Sequence, residues 1–221
     1  MKFLNITLFN SLMIFLLTVS LFALSAPSFT QDYKVKKVGK AFSHPWGISV
    51  FDNDEVLITE RGGNLFKVNI KNGSRLKISN LPEVYNVRQG GLLDVLIDKE
   101  SVSERNVYIC YSSKVAGGSS TTLMAGTLKE NKLISKKILF KSNNVSESGV
   151  HFGCRLAILN DEIFMSIGDR GNRYEAQDPK SHAGSVIRVN KYDGSTKGKK
   201  VYNGWPAEVY TKGHRNPQGM A

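Results

Sequence analysis

Four short segments carry side chains fit for chemistry on a small polar ligand: His44-Pro45-Trp46-Gly47, Arg88-Gln89-Gly90-Gly91, His151-Phe152-Gly153-Cys154 and Gly213-His214-Arg215-Asn216-Pro217-Gln218-Gly219. Imidazole exchanges protons near neutral pH. Guanidinium and amide groups present hydrogen-bond donors in fixed directions, the arginine with a full charge. In the last segment an Arg-Asn-Pro run flanked by glycines sits on a turn that backbone sterics hold open, which suits contact with an anion or a cofactor. His44, Trp46 and His214 read as structural: Trp46 is a large apolar anchor with one donor to satisfy, and His214 packs or bonds within its own turn.

Segments so far apart can act together only if the elements before and after them repeat. After the first thirty residues there is no helical periodicity, while short apolar or alternating runs bounded by Gly, Asn and Asp recur throughout, so the chain is predicted to be all-β. Asp54-Glu55-Val56-Leu57-Ile58-Thr59 is echoed by Asp161-Glu162-Ile163-Phe164-Met165-Ser166, and each is followed by an Arg-Gly pair, at 61–62 and 170–171. The run 64–69 with its Asn72-Gly73-Ser74 turn is echoed by 185–190 with Asp193-Gly194-Ser195. Such Asn-Gly and Asp-Gly pairs mark hairpin turns that need positive φ.

A less regular copy lies between them, with strands predicted at 91–97, 106–111, 122–128 and 136–140. The second strands of the three copies begin near Val56, Val107 and Ile163. Four-stranded units at that spacing, about fifty residues, are blades of a β-propeller. A β-sandwich would not return the same strand-and-turn text at blade spacing. In a propeller the first strand of each blade lines the central channel, so the four segments above, each just before a first strand, converge on one mouth. Clustered polar groups at such a mouth are the expected site. The sequence supplies about three and a half blades, too few to close a ring, and reads as a fragment of a longer propeller, with assembly with another chain as the alternative.

Composition sets the remaining bounds. With 41% hydrophobic and 22% charged residues the chain is of ordinary globular type. Lys2, an apolar run from Leu12 to Leu24 and the small residues Ala23, Ser25, Ala26 and Ser28 read as a secretory signal peptide over 1–28, cleaved somewhere in 25–28, ahead of a propeller domain over 29–221. The run is shorter than the ~20 residues a spanning helix needs, so a periplasmic or secreted protein without stable membrane insertion is expected. Two cysteines make no disulfide framework. Cys110 and Cys154 are expected as free thiols, with a bridge as the alternative that an oxidising compartment would allow. The formal charge of +11, reduced to +10 on loss of Lys2, is scattered through turns and not interleaved with aromatics on one face. Nucleic-acid binding is therefore not expected.

Several ordered motifs together carry a family resemblance: Arg88-Gln89-Gly90-Gly91-Leu92-Leu93-Asp94, His151-Phe152-Gly153 with Arg155-Leu156, Gly168-Asp169-Arg170-Gly171, Ala176-Gln177-Asp178 and the closing Gly-His-Arg-Asn-Pro-Gln-Gly run. The chain resembles the soluble PQQ-dependent aldose sugar dehydrogenases of the glucose/sorbosone dehydrogenase family over nearly everything after the signal peptide. The resemblance implies a six-bladed propeller in the intact protein, with pyrroloquinoline quinone (PQQ) and calcium over the channel mouth, and oxidation of the aldose C1 hydroxyl to a lactone. It implies that His151 is the general base and that Asp169 orients it. It also implies that Arg215 faces the quinone oxygen where negative charge develops, and that Gln89 and Asn216 hold the cofactor's edge. Read from local sequence alone, Asp169 could instead bond its own turn between Gly168 and Gly171, and Gln89 could cap the turn before its Gly-Gly pair.

No metal ligand is assigned within these residues. The family's calcium is held largely by main-chain oxygens downstream of the Arg-Asn-Pro motif, and basic residues that grip the cofactor's carboxylates come from later blades, so the fragment alone is expected neither to bind PQQ tightly nor to turn over. The electron acceptor and the oligomeric state are left open. Two other functions fit a secreted propeller: a non-catalytic binding module, and a calcium-dependent lactonase, which would need acidic metal ligands at the channel instead of the Arg215-Asn216 pair.

Overall fold

The computed structural model describes residues 33–100, 105–196 and 202–220. The signal peptide expected over 1–28 lies outside them, as does the lysine-rich turn at 197–200. The chain divides into two compact units, Met1–Lys37 and Val38–Ala221. Of the first unit the described residues 33–37 carry no regular structure.

The second unit is a partial β-propeller of four-stranded antiparallel blades, each a simple meander. Blade 1 comprises β1 (Pro45–Val50), β2 (Glu55–Glu60), β3 (Asn64–Asn69) and β4 (Arg75–Ile78). Blade 2 comprises β5 (Leu92–Ile97), β6 (Arg105–Val115), β7 (Gly118–Lys129) and β8 (Lys132–Lys141). Blade 3 comprises β9 (Leu156–Leu159), β10 (Glu162–Ile167), β11 (Ser185–Asn190) and β12 (Val209–Lys212). One turn of 3-10 helix, Glu175–Gln177, interrupts the connection from β10 to β11. Among the described residues no helix is long and apolar enough to cross a membrane.

The repeated sequence text builds repeated geometry. After β3 the Asn69 N–H donates to the Ser74 carbonyl and the Gly73 N–H returns to the Asn69 carbonyl, both at 2.9 Å. After β11 the same ring forms through Asn190, Ser195 and Gly194, at 2.9 and 3.0 Å. Gly73 and Gly194 take φ of 74° and 79°, a region open to glycine at no steric cost.

Strand alternation sorts blade 2 between its neighbours. On β6, Val107, Ile109 and Tyr111 join Leu57, Leu65 and Ile78 of blade 1 in one buried cluster. The intervening Tyr108 and Cys110 join Ile163, Met165 and Ile187 of blade 3 in another. The core is thus two layers between blades, as the period-2 direction of strand side chains requires.

This sorting corrects the free-thiol expectation. Cys110 and Cys154 form a disulfide, with Cα atoms 5.6 Å apart. Cys110 points from β6 toward blade 3, and Cys154 is the second residue before β9, so the bridge fastens the entry of one blade to the second strand of the preceding one. Only the spatial order of the blades brings the two residues within the reach a disulfide allows.

Polar joints reinforce the same seam. His182, buried before β11, accepts the Asn143 N–H at Nδ1 (2.9 Å), which leaves its proton on Nε2 to donate to Glu208 (2.8 Å). That hydrogen bond from His182 holds the Glu208 carboxyl below the ordinary glutamate value of 4.5. Lys191, at the end of β11, is 1% exposed and reaches Asp98 and Glu100 beyond β5 at 3.1 and 2.9 Å. Burial alone would lower its pKa, but the two carboxylates outweigh that and leave it above the ordinary lysine value.

Candidate active site

Three of the four chemistry-bearing segments meet. His151 precedes β9 and Asp169 follows β10, and their side chains join through Nδ1 and Oδ1 at 2.6 Å. The aspartate is almost fully buried, with 4% of its side chain exposed, while 15% of the imidazole remains open. The same Asp169 oxygen accepts the Gly171 N–H at 2.8 Å. The turn bond and the imidazole bond thus share one oxygen of Asp169. With Nδ1 engaged, Nε2 of His151 has no partner among the described residues.

Gln89 holds the backbone of His151 and Asn216 that of Gly153, two residues on. Gln89 Oε1 accepts the His151 N–H at 2.8 Å, and Asn216 Oδ1 accepts the Gly153 N–H at 3.0 Å. A backbone donor fixes which end of each amide is oxygen, so both NH2 groups are left without a protein partner among the described residues and are available as donors. The Asp169 N–H donates to the Arg215 carbonyl at 2.8 Å, which draws the closing segment against the dyad. The Arg215 side chain is exposed, makes no hydrogen bond or ion pair among the described residues, and lines a cleft of about 490 Å³ together with Asp169, Arg173, Tyr174 and Gln177.

The fourth segment stands apart from the dyad. Half-buried Trp46 lies under the Arg155 guanidinium, 4.7 Å from the ring centre, and His44 is exposed. Arg155 pairs with Asp94 at 3.0 Å and donates to the Gln218 carbonyl at 2.9 Å, joining blades 1, 2 and 3 to the closing segment. Burial raises the Asp94 pKa even though the Leu156 N–H and Arg155 favour its charged form. His214 bonds Thr211 in its own turn at 2.7 Å, a structural place as expected.

Of the cleft residues, Gln177 stands in the Ala176-Gln177-Asp178 motif, while Arg173 and Tyr174 belong to none of the sequence motifs. A signal was there: in blade 1 one residue separates the Arg-Gly pair from the next strand, whereas in blade 3 thirteen do (172–184). A polar insertion beside a channel mouth is where a loop that lines a ligand site belongs.

Segments before and after the blade strands thus bring a buried-carboxylate–histidine pair, and amide and guanidinium donors without partners among the described residues, to one polar centre on a partial β-propeller. Residues 42–221 match the family model described as Glucose / Sorbosone dehydrogenase, and the chain belongs to that family. It is 31% identical over 186 residues to Aldose sugar dehydrogenase YliI of Escherichia coli, covering 80% of this chain and 50% of the relative. Quinoprotein glucose dehydrogenase B of Acinetobacter calcoaceticus is 29% identical over 241 residues, covering 93% and 48%. Among solved structures, the soluble aldose sugar dehydrogenase of Escherichia coli in its apo-form superposes with a TM-score of 0.74 at 31% identity, covering 81% of this chain and 54% of that one. The chain spans about half the length of the curated relatives it matches.

Proposed function

We propose that the protein carrying this chain oxidises the C1 hydroxyl of aldoses to lactones, with PQQ as the hydride acceptor and His151 as the general base. The observation that carries the reading is the His151–Asp169 contact of 2.6 Å, with Nε2 left without a partner among the described residues. An imidazole whose Nδ1–H is held by a buried carboxylate presents its other nitrogen as a base, and the carboxylate stabilises the imidazolium that forms. In the reaction Nε2 takes the hydroxyl proton as the C1–O bond gains double-bond character. PQQ, when bound, supplies the two-electron acceptor to which the C1 hydride passes.

The donor set fits such a ligand, which is planar, rich in carbonyl oxygens and anionic. Arg215 offers at the cleft a guanidinium without a partner among the described residues, and the NH2 groups of Gln89 and Asn216 offer neutral donors near His151. A fixed guanidinium near developing negative charge favours the transition state over the ground state. Among the described residues no cluster of three or more His, Cys, Asp or Glu groups is arranged to hold a metal ion. Calcium is thus proposed on the family resemblance alone. Export through a signal peptide over 1–28 is part of the same reading, supported by the Cys110–Cys154 bridge, since disulfides persist in oxidising compartments.

The test is reconstitution of the full-length protein with PQQ and calcium, followed by assay on a panel of aldoses with an artificial electron acceptor. PQQ-dependent oxidation is expected, and His151→Ala should lose most of it while keeping its circular dichroism spectrum. No PQQ-dependent absorbance change with any aldose would overturn the assignment.

A further inference from the structure

We infer that Arg170 is the positioning residue that sets His151 against Asp169, by serving as the template on which residues 146–152 are laid. The inference rests on the catalytic reading above only for its kinetic consequence; the geometry stands without it.

Arg170 follows Asp169 directly and takes a left-handed φ of 56°. The turn sends its side chain inward, where the residue is 2% exposed. Its guanidinium donates from Nε to the Val150 carbonyl (3.0 Å), from Nη1 to the Ser119 carbonyl (2.9 Å), and from Nη2 to Ser119 Oγ (2.9 Å) and the Ser146 carbonyl (3.4 Å). Its own carbonyl accepts the Ser148 hydroxyl at 2.6 Å. The Phe152 ring centre lies 3.8 Å from its central carbon. Residues 146, 148, 150 and 152 therefore all meet Arg170, and His151, between the last two, meets Asp169.

Two neighbours in sequence, Asp169 and Arg170, thus grip opposite sides of one short segment. The aspartate takes the imidazole. The arginine takes the carbonyl just before it and the ring just after it. Every oxygen that the guanidinium hydrogen-bonds among the described residues is a carbonyl or hydroxyl, and the Glu175 carboxylate acts on this buried cation only through space. Burial lowers its pKa to about 10, which still leaves it charged at neutral pH. A lysine could not replace it, because one ammonium cannot reproduce a planar fork with three donor directions.

The experiment follows the His151 Nδ1–H directly. In the full-length protein, proton NMR is expected to show a far-downfield imidazole resonance from the 2.6 Å contact, assigned by its loss in Asp169→Asn. In Arg170→Lys, checked for a cooperative melt, that resonance should move upfield or broaden into solvent exchange. Ser148→Ala keeps the guanidinium and removes one tie to the segment, so it decides the matter if Arg170→Lys does not fold; it should shift the same resonance. In the reconstituted enzyme Arg170→Lys should lower kcat about a hundredfold with KM nearly unchanged, the signature of a misplaced group and not of lost substrate binding. A resonance unchanged from wild type in a folded Arg170→Lys, or in Ser148→Ala where only that variant folds, overturns the inference. A wild-type resonance without PQQ-dependent sugar oxidation would remove the catalytic reading and leave the positioning role intact.

Discussion

His151 adopts φ of 52°, and the chain at Gly168 passes so close that a Cβ there would lie 2.0 Å from the His151 carbonyl oxygen. Gly168→Ala must therefore push the two segments apart. It should cost about 1–3 kcal/mol, as overpacking does, read by chemical denaturation, and should weaken the His151–Asp169 contact. Asp169→Asn tests the dyad itself: asparagine still accepts from Gly171 but holds the imidazole without a charge. Its kcat in the reconstituted enzyme should fall by about a hundredfold or more with little change in the melting temperature. His151, Gln89 and the Arg215-Asn216 pair were legible in the sequence because each stands beside a recognisable strand or turn. The use of the two amide oxygens on the backbone N–H groups of His151 and Gly153 was not legible. Nor was Arg170 as a buried fork, since its partners lie from 20 to 51 residues away.

Blades were legible as elements because their turns repeat in the same words and make the same hydrogen bonds. How the blades face each other was not, and that is why the two cysteines read as free thiols. Their bridge closes a separation of 44 residues. Replacing both with alanine should cost roughly 2–4 kcal/mol, and a reductant should lower the wild-type melting temperature but not that of the double variant. The His182–Glu208 joint adds a pH term of definite sign. Because the folded Glu208 pKa lies below its ordinary value of 4.5, the joint's contribution is present above that pH and is lost as pH falls through the depressed value. Glu208→Gln should therefore lose stability at neutral pH and show a shallower decline on acidification, measured as melting temperature against pH. At the other end of the seam, Lys191→Ala should cost about 3–5 kcal/mol, because it strands buried Asp98 without its cation.

At the scale of the whole molecule, apolar side chains remain uncovered on the outer blades: Ile48 and Val50 of β1 are 63% and 53% exposed, and Leu159 of β9 is 61% exposed. Leu159 borders a groove that also takes in Phe164, Val186 and Tyr210 of blade 3. Contiguous apolar surface of this kind drives association. As a separate polypeptide the 221-residue chain should self-associate, with light scattering that grows with concentration and falls in Leu159→Lys; a monomeric, cooperative melt would contradict this. The segment that carries His151 obeys a different constraint. Surface loops commonly vary by gaining or losing residues, yet here every second position from Ser146 to Phe152 is matched to one buried side chain. Composition can drift at the positions between, but a single deletion would put the histidine's neighbours out of phase and turn the imidazole away from Asp169. The segment is therefore fixed in length before it is fixed in identity, and a change of one residue in its count should do more harm than most changes in its chemistry.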